Sequence, residues 1–162
     1  MPSELRIKDH IVLLDEEDYL FFKDKKINIS DKTRHKTRKL YAEYYEYKKG
    51  SRVRIPLHRL IMGELDPNVI IDHKNGNSLD CTRINLRRAT HKQNVSSAAP
   101  IKGTSVHKGV HFHKVMKRWV ARITVEGRRL YLGSYSDESE AAAAYAQAAR
   151  NEHGEFAWVG NA

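Results

Sequence analysis

An aspartate and a histidine side by side, Asp72-His73, and an asparagine further on, Asn94, are the residues of this 162-residue chain whose types suit chemistry on a phosphodiester. Hydrolysing that bond takes a water activated as nucleophile, a cation to offset charge on the phosphoryl oxygens, and help for the leaving oxygen. A neutral imidazole, with an unperturbed pKa of about 6.5, takes a proton from water at physiological pH. A hard divalent cation such as Mg²⁺ takes oxygen ligands, commonly one or two protein groups with water and phosphate completing its shell. Asp72 offers a carboxylate oxygen and Asn94 an amide oxygen. Consecutive strand residues point to opposite faces, so Asp72 and His73 serve one phosphate only from a strand end or a local twist.

The elements that must position these residues are legible around them. Val69-Ile70-Ile71 is a strand-like run, and Asn75-Gly76 signals a tight reversal with positive φ, which places Asp72 and His73 at the end of the first strand of a hairpin. After Leu86, Thr90-His91-Lys92-Gln93 matches a capping box, so Asn94 falls in the first turn of a helix folding back over the hairpin. The unit predicted is β–β–α. Upstream, Val53 to Gly63 reads as a strand, Pro56, and a short helix with Leu57, Leu60 and Ile61 on one side, ended by Gly63. Residues 7–55 read as short strands and turns. Ile11–Leu14 and Leu20–Phe22 are apolar runs of strand length that bracket the acidic Asp15-Glu16-Glu17-Asp18, and Lys32–Lys39 reads as an exposed basic loop or ribbon. Tyr41, Tyr44, Tyr45 and Tyr47 fit either a strand face or a half-buried helix.

Residues 95–105 are small, with Pro100 and Gly103, and read as a linker. Three strands follow, at Gly109–His113, Trp119–Val125 and Arg129–Gly133, with Glu126-Gly127 turning the last two into a hairpin. A helix comes next, with Asp137 and Glu140 as capping pair, an Ala-rich body to about Asn151, and Gly154 past its end. Ala141, Ala144, Ala148 and Tyr145 mark one face, where small residues let the helix lie close to a sheet.

Composition limits the partners. The net charge is +9, and one cysteine, Cys81, rules out an internal disulfide framework or a Cys-rich zinc ribbon. No apolar run reaches the roughly 18–20 residues needed to cross a bilayer, and the N-terminus lacks a signal-peptide core, so the expectation is a cytoplasmic protein with no membrane partner. The charge is uneven: −4 over residues 1–20, +9 over 21–60, +1 over 61–99, +7 over 100–136 and −4 over 137–162. Two basic blocks around a nearly neutral centre suit an anionic polymer held on either side of a site with its own carboxylates.

Within IDHKNGNSLDCTRINLRRATHKQN, Asp72-His73 is followed after 12 residues by Asn85 and after a further 9 by Asn94. Singly these are polar hairpin, turn or cap residues. Together, at this spacing and inside a β–β–α unit, they resemble the HNH endonucleases, and LHRLIMG at Leu57–Gly63 is similar to the helix preceding that motif in phage and intron-encoded members. The resemblance implies a ββα-metal fold, His73 as general base, Asp72 and Asn94 as ligands of Mg²⁺ or Mn²⁺, one ion per active site, and Asn85 as the residue orienting the His73 loop. The third motif position is Asn94 rather than His, as in an Asn-bearing subgroup, and Cys81 stands where relatives often have Asn. His58 is read as packing or hydrogen-bonding beneath the site, and His91 as standing at a helix start within reach of phosphate.

From about residue 105 to 160, Lys108-Gly109-Val110, Arg118–Ile123, Leu132–Tyr135, DESEAAAAYAQAAR and HGEFA resemble the AP2/ERF DNA-binding domain in order and spacing. The resemblance implies a three-stranded sheet laid in the major groove of DNA, with Lys108, His111, His113, Arg122, Thr124, Arg129 and Tyr131 as the contacting side chains. Period-two alternation independently puts Arg122 and Thr124 on one face and Trp119, Ala121 and Ile123 on the other. Plant members have Arg, Trp and Glu where this chain has His111, Val115 and Arg122, so their target sequence does not transfer; mobile-element nucleases that pair HNH with AP2 domains look closer.

The expected fold class is α+β. It comprises an N-terminal strand-rich segment over residues 1–55, a ββα nuclease unit over 56–99, a linker over 100–106, and a three-stranded antiparallel sheet with one helix over 107–162. The expected activity is metal-dependent hydrolysis of double-stranded DNA, without a small-molecule cofactor. A monomer on DNA would nick, and a dimer would cut both strands. A non-cleaving DNA-binding regulator with a decayed nuclease unit is the alternative. An RNA-binding protein that stacks bases on Tyr41–Tyr47 is a third reading.

Overall fold

The computed structural model of the chain describes residues 1–32, 39–48, 50–100 and 103–160; the interior of the basic run Lys32–Lys39 and two residues of the expected linker at 100–106 lie outside them. The fold is α+β, with four small antiparallel sheets and few helices, in two compact units, Met1–Thr90 and His91–Ala162. Among the described residues no helix is long and apolar enough to cross a membrane.

The first unit opens with a hairpin of β1 (Ser3–Ile7) and β2 (His10–Leu14). Val12 and Leu14 alternate inward to full burial while Ile11 and Leu13 do not, the period-two signature of a half-buried strand. The next segment differs from expectation. Glu16–Phe22 forms a helix, α1, and Leu20-Phe21-Phe22 is its last turn rather than a strand. Glu16, Glu17 and Asp18 occupy the first turn, where carboxylates complement the positive end of the helix dipole. Helical spacing then buries Asp18 and Phe22 and leaves Leu20 and Phe21 exposed.

Three strands follow, β3 (Ile27–Asp31), β4 (Leu40–Lys48) and β5 (Ser51–Pro56), in the order β3-β4-β5. The tyrosine run is therefore a strand. Ala42 and Tyr44 turn to the core, where Tyr44 meets the Phe22 ring edge-on at 6.2 Å; Tyr41, Tyr45 and Tyr47 take the other face. Pro56 ends β5, and α2 (Leu57–Ile61) begins at once, closing at Gly63 with φ +62. The last sheet of the unit pairs β6 (Ile70–His73) with β7 (Leu86–Ala89), His73 opposite Leu86 and Asp72 opposite Arg87. Asn75-Gly76 does make a tight turn, with Gly76 at φ +73 donating its N–H to the His73 carbonyl at 2.9 Å. The partner strand starts only at Leu86, so residues 74–85 form a long loop that contains the expected tight reversal.

That loop is held from afar. The Leu13 amide donates to the Leu79 carbonyl and the Cys81 amide to the Leu13 carbonyl, both at 2.9 Å, so β2 is stitched to it. Arg83 sends Nε and Nη2 to the two oxygens of buried Asp18 at 3.0 and 2.8 Å and Nη1 to the Ile61 carbonyl at 2.9 Å. Leu14, Leu57, Ile61, Ile71, Cys81 and Leu86 close the core beneath.

The second unit begins with α3 (His91–Ser97), one residue after Thr90. Its sheet has the order β10-β9-β8, from β8 (Val110–His113), β9 (Arg118–Val125) and β10 (Arg128–Tyr135). Across one face lies α4 (Glu138–His153), capped by Asp137 accepting from the Ser139 and Glu140 amides at 2.7 and 3.4 Å and ended at Gly154 with φ +54. Ala141, Tyr145 and Ala149 of α4 pack on Val110, Ala121 and Ile123. Gly109 permits that approach: a Cβ there would lie 2.2 Å from the Tyr145 ring and 2.4 Å from the Arg122 carbonyl oxygen.

Candidate active site and nucleic-acid faces

In the first unit, His73 at the end of β6 is buried, and among the described residues its Nε2 has no hydrogen-bond partner. A buried polar nitrogen left unpaired costs on the order of 1–3 kcal/mol and persists where something else supplies the partner, such as a water or a ligand. Its ring meets two others: His58 of α2, edge to face at 5.0 Å between centroids, and Tyr41 of β4 at 6.4 Å; Tyr41 and His58 are 5.7 Å apart. His58 Nδ1 is likewise buried and unpartnered. Burial pushes the His73 pKa down to about 4, opposed by the Asp72 and Asp80 carboxylates and assisted by Lys39. Burial, then the His73 and Arg59 charges, push His58 to about 3. Both imidazoles are therefore neutral at pH 7, the form that accepts a proton. Burial and the Asp72 carboxylate raise the Tyr41 pKa, which keeps its hydroxyl protonated.

The Asp72 side chain leaves β6 on the face opposite to that of His73, as strand alternation requires, while its charge still reaches His73 and Tyr41. Its Oδ2 accepts from Arg87 Nε and Nη2 at 3.0 and 2.8 Å, in an ion pair whose side chains are both mostly buried. Cross-strand pairing puts Arg87 directly opposite Asp72. Oδ1 lies outside those two bonds. Among the described residues no three His, Cys, Asp or Glu side chains gather as a metal group. A carboxylate outside any such group suits a hard cation that keeps waters and phosphate in its shell better than a closed zinc site.

Asn85 fastens the long loop. Its Oδ1 accepts from the Asn75 amide at 3.0 Å, its Nδ2 donates to the Asp80 carbonyl at 2.8 Å, and its own carbonyl accepts from the Lys74 amide at 2.9 Å. The turn that follows His73 is thereby pinned at both ends by one buried amide. Asn94 lies in α3 and belongs to the second unit. His58 is the neighbour of His73 for which the sequence supplied a place beneath the site but no partner; its i, i+1 position after Leu57 on a buried helix face was the available signal.

In the second unit, antiparallel register puts six of the seven candidate DNA contacts on one face. Arg122 pairs with Tyr131, Thr124 with Arg129, His111 with Val120, and His113 with Arg118, so all these side chains leave the sheet away from α4. The strands of this sheet therefore alternate between an apolar inner side packed on the alanines of α4 and an outer side that carries Arg122, Arg129 and the two histidines. Slight burial and then the charges of Arg122, His113 and Arg129 lower the His111 pKa, a sign of how closely positive groups gather there. His113 Nδ1 accepts from the Met116 amide at 3.2 Å.

Lys108 is the exception and corrects the expectation for it. Its Nζ donates to the carbonyls of Val95, Ser96 and Ala98 at 2.9, 2.8 and 2.8 Å. An ammonium has three donors, and all three are committed to the orphan carbonyls around the end of α3, so Lys108 caps a helix and has none left for phosphate. Partial burial lowers its pKa accordingly.

Residues 57–96 match the HNH endonuclease family. The matched stretch contains His58, Asp72, His73, Asn85 and Asn94. The chain is 32% identical over 121 residues to Protein 3.8 of Escherichia phage T7, an alignment spanning 74% of this chain and 97% of that protein. It is also 30% identical over 89 residues to an AP2-like ethylene-responsive transcription factor of Arabidopsis thaliana, spanning 49% of this chain and 26% of that protein.

Proposed function

The chain belongs to the family of Protein 3.8 of Escherichia phage T7 and carries an HNH endonuclease domain at residues 57–96, and from that premise we propose that it is a divalent-metal-dependent endonuclease that nicks double-stranded DNA. The observation that carries the reading is His73: a neutral, buried imidazole with an unpartnered Nε2, next in sequence to a carboxylate, inside the matched stretch.

His73 takes a proton from the attacking water as the water oxygen bonds to phosphorus and the ester bond from phosphorus to the leaving sugar oxygen breaks. An arriving phosphate brings negative charge, which raises the imidazole's proton affinity from its low resting value toward the working range. Asn85 keeps the loop after His73 from moving, which preserves the angle of the ring. Asp72 would hold the cation, Mg²⁺ or Mn²⁺, which would supply positive charge for the phosphoryl and leaving oxygens. Arg87 sets the orientation of Asp72 by holding one of its oxygens. With one His73 per chain, a monomer cuts one strand, and two copies are needed for a double-strand break.

The outer face of the β8–β9–β10 sheet holds DNA through His111, His113, Arg122, Thr124, Arg129 and Tyr131, as the resemblance to the AP2/ERF domain implies. The test is conversion of supercoiled plasmid to open circle with Mg²⁺, comparing the parent with His73→Ala and Asp72→Ala. Nicking that is lost in both variants and in EDTA is the expected result. Equal nicking in EDTA, or by His73→Ala, would overturn the mechanism.

A further inference from the structure

We propose that the outer face of the β3–β4–β5 sheet is a second DNA seat, which grips the phosphate backbone of the duplex as it runs away from the cut. The proposal rests on the endonuclease reading for the identity of the polymer. It draws on residues which that reading leaves unused.

Alternation along β4 sends Ala42 and Tyr44 into the core and leaves Tyr41, Tyr45 and Tyr47 on the opposite side. Register then brings Arg54 beside Tyr45 and Arg52 beside Tyr47 on that same side. The face is thus basic and aromatic, where a surface sheet needs only to be polar. Arg52 lies over the Tyr45 ring, its guanidinium carbon 3.9 Å from the centroid. Stacking of this kind fixes the guanidinium plane while leaving its in-plane N–H groups pointing outward, the geometry that forks onto a phosphate. Glu43 is buried between Lys32 at 3.6 Å and Arg54 at 3.5 Å. Both cations keep about half of their side chains in solvent, at 42% and 54%. One buried carboxylate thus orients two cations, and the three cations Lys32, Arg52 and Arg54 still leave the face positive.

Continuity with the catalytic end decides the partner. Tyr41 belongs to this face, and its ring lies 6.4 Å from that of His73. An anionic chain whose scissile phosphate reaches His73 therefore lies at the margin of the face. Strand rise of about 3.3 Å per residue puts Tyr45 and Tyr47 roughly 13 and 20 Å further along. At about 3.4 Å of duplex axis per base pair, that run covers roughly 4–6 base pairs to one side of the cut.

The experiment uses the full chain with His73→Ala, so that the DNA stays intact, and a duplex of defined sequence. Affinity is measured against salt for this background and for the same chain with Arg52→Glu/Arg54→Glu. Each phosphate contact contributes a slope of about −0.9 in log affinity against log salt, so losing two should flatten the slope by about 2. Hydroxyl-radical footprints should lose protection over the 4–6 base pairs beside the cut while keeping it elsewhere. An unchanged slope and footprint overturn the proposal. A larger loss on single-stranded oligonucleotide than on duplex also overturns it, because the tyrosines would then be stacking unpaired bases. If the glutamate pair fails to fold by thermal melt, Arg52→Gln/Arg54→Gln reads the same slope. Failure of the endonuclease reading shows separately, as absence of nicking by the chain with His73 intact, whatever the binding slopes are.

Discussion

The imidazole of His58 stands edge-on against that of His73, with the centroids 5.0 Å apart and the planes at 66°, and each ring carries a buried nitrogen without a partner. His58 is thus the wall against which the His73 ring rests. Replacing it with Ala opens a gap beside His73 and frees the ring to turn; misplacement of this kind costs about 100-fold in rate. Single-turnover nicking at saturating DNA and Mg²⁺ should show that loss with little change in DNA affinity. His58→Phe, which restores a ring, should recover most of it. Loss of affinity in place of rate would reassign His58 to binding.

Stability should fall as the solution is acidified below neutrality. The folded-state pKa of His58 is depressed to about 3, whereas in the unfolded chain it returns to about 6.5. The unfolded form therefore takes up the proton first as pH drops, and the stabilisation present above pH 6.5 is lost progressively down to about pH 3, by up to roughly a kcal/mol for each pH unit. Urea midpoints of the parent should decline between pH 7 and 4, and those of His58→Phe should decline less steeply.

Arg83 joins α1 to the loop before β7. Its fork on Asp18 is bidentate and mostly buried on the acid's side, so Arg83→Met strands a carboxylate in the interior. The expected cost is about 3–5 kcal/mol, read from a denaturant titration. Adding Asp18→Asn should recover part of it, because an uncharged side chain is cheaper to bury.

Gly109 carries a second stability test, confined to the second unit. Its φ of +73 and the 2.2 Å approach to Tyr145 leave no room for a methyl group. Gly109→Ala should destabilise that unit by more than the roughly 1–3 kcal/mol typical of overpacking, since left-handed strain adds to the clash. Tyr145 fluorescence and hydrogen exchange in β8–β10 should report the change.

Much of the second unit was legible because each of its signals is local. Asp137 and Glu140 announce α4, Gly154 closes it, and β9 alternates over its whole length. The first unit yields less to reading along the chain. Leu20-Phe21-Phe22 is as apolar as a strand, and only the inward turn of Asp18 toward Arg83, 65 residues away, settles it as helix. Asn75-Gly76 does reverse the chain, yet the returning strand waits for Leu86 because β2 occupies the loop in between. Asp72 and His73 stood out by type and spacing, but the neighbours that tune them, Arg87, His58 and Tyr41, arrive from other elements. Lys108 was misread because an exposed basic residue and a helix cap look alike until its acceptors are placed.

The stitching of β2 to residues 79–81 also dictates an order of events during synthesis. Leu13 leaves the ribosome early and pairs with Glu4 across the first hairpin, but its amide and carbonyl have their partners only once Leu79 and Cys81 have followed it. They wait through the making of the whole β3–β4–β5 sheet. The loop that follows His73 is therefore fastened among the last parts of its unit, by a strand that was among the first made. A nascent chain stalled before residue 79 has His73 without the frame that holds the loop after it.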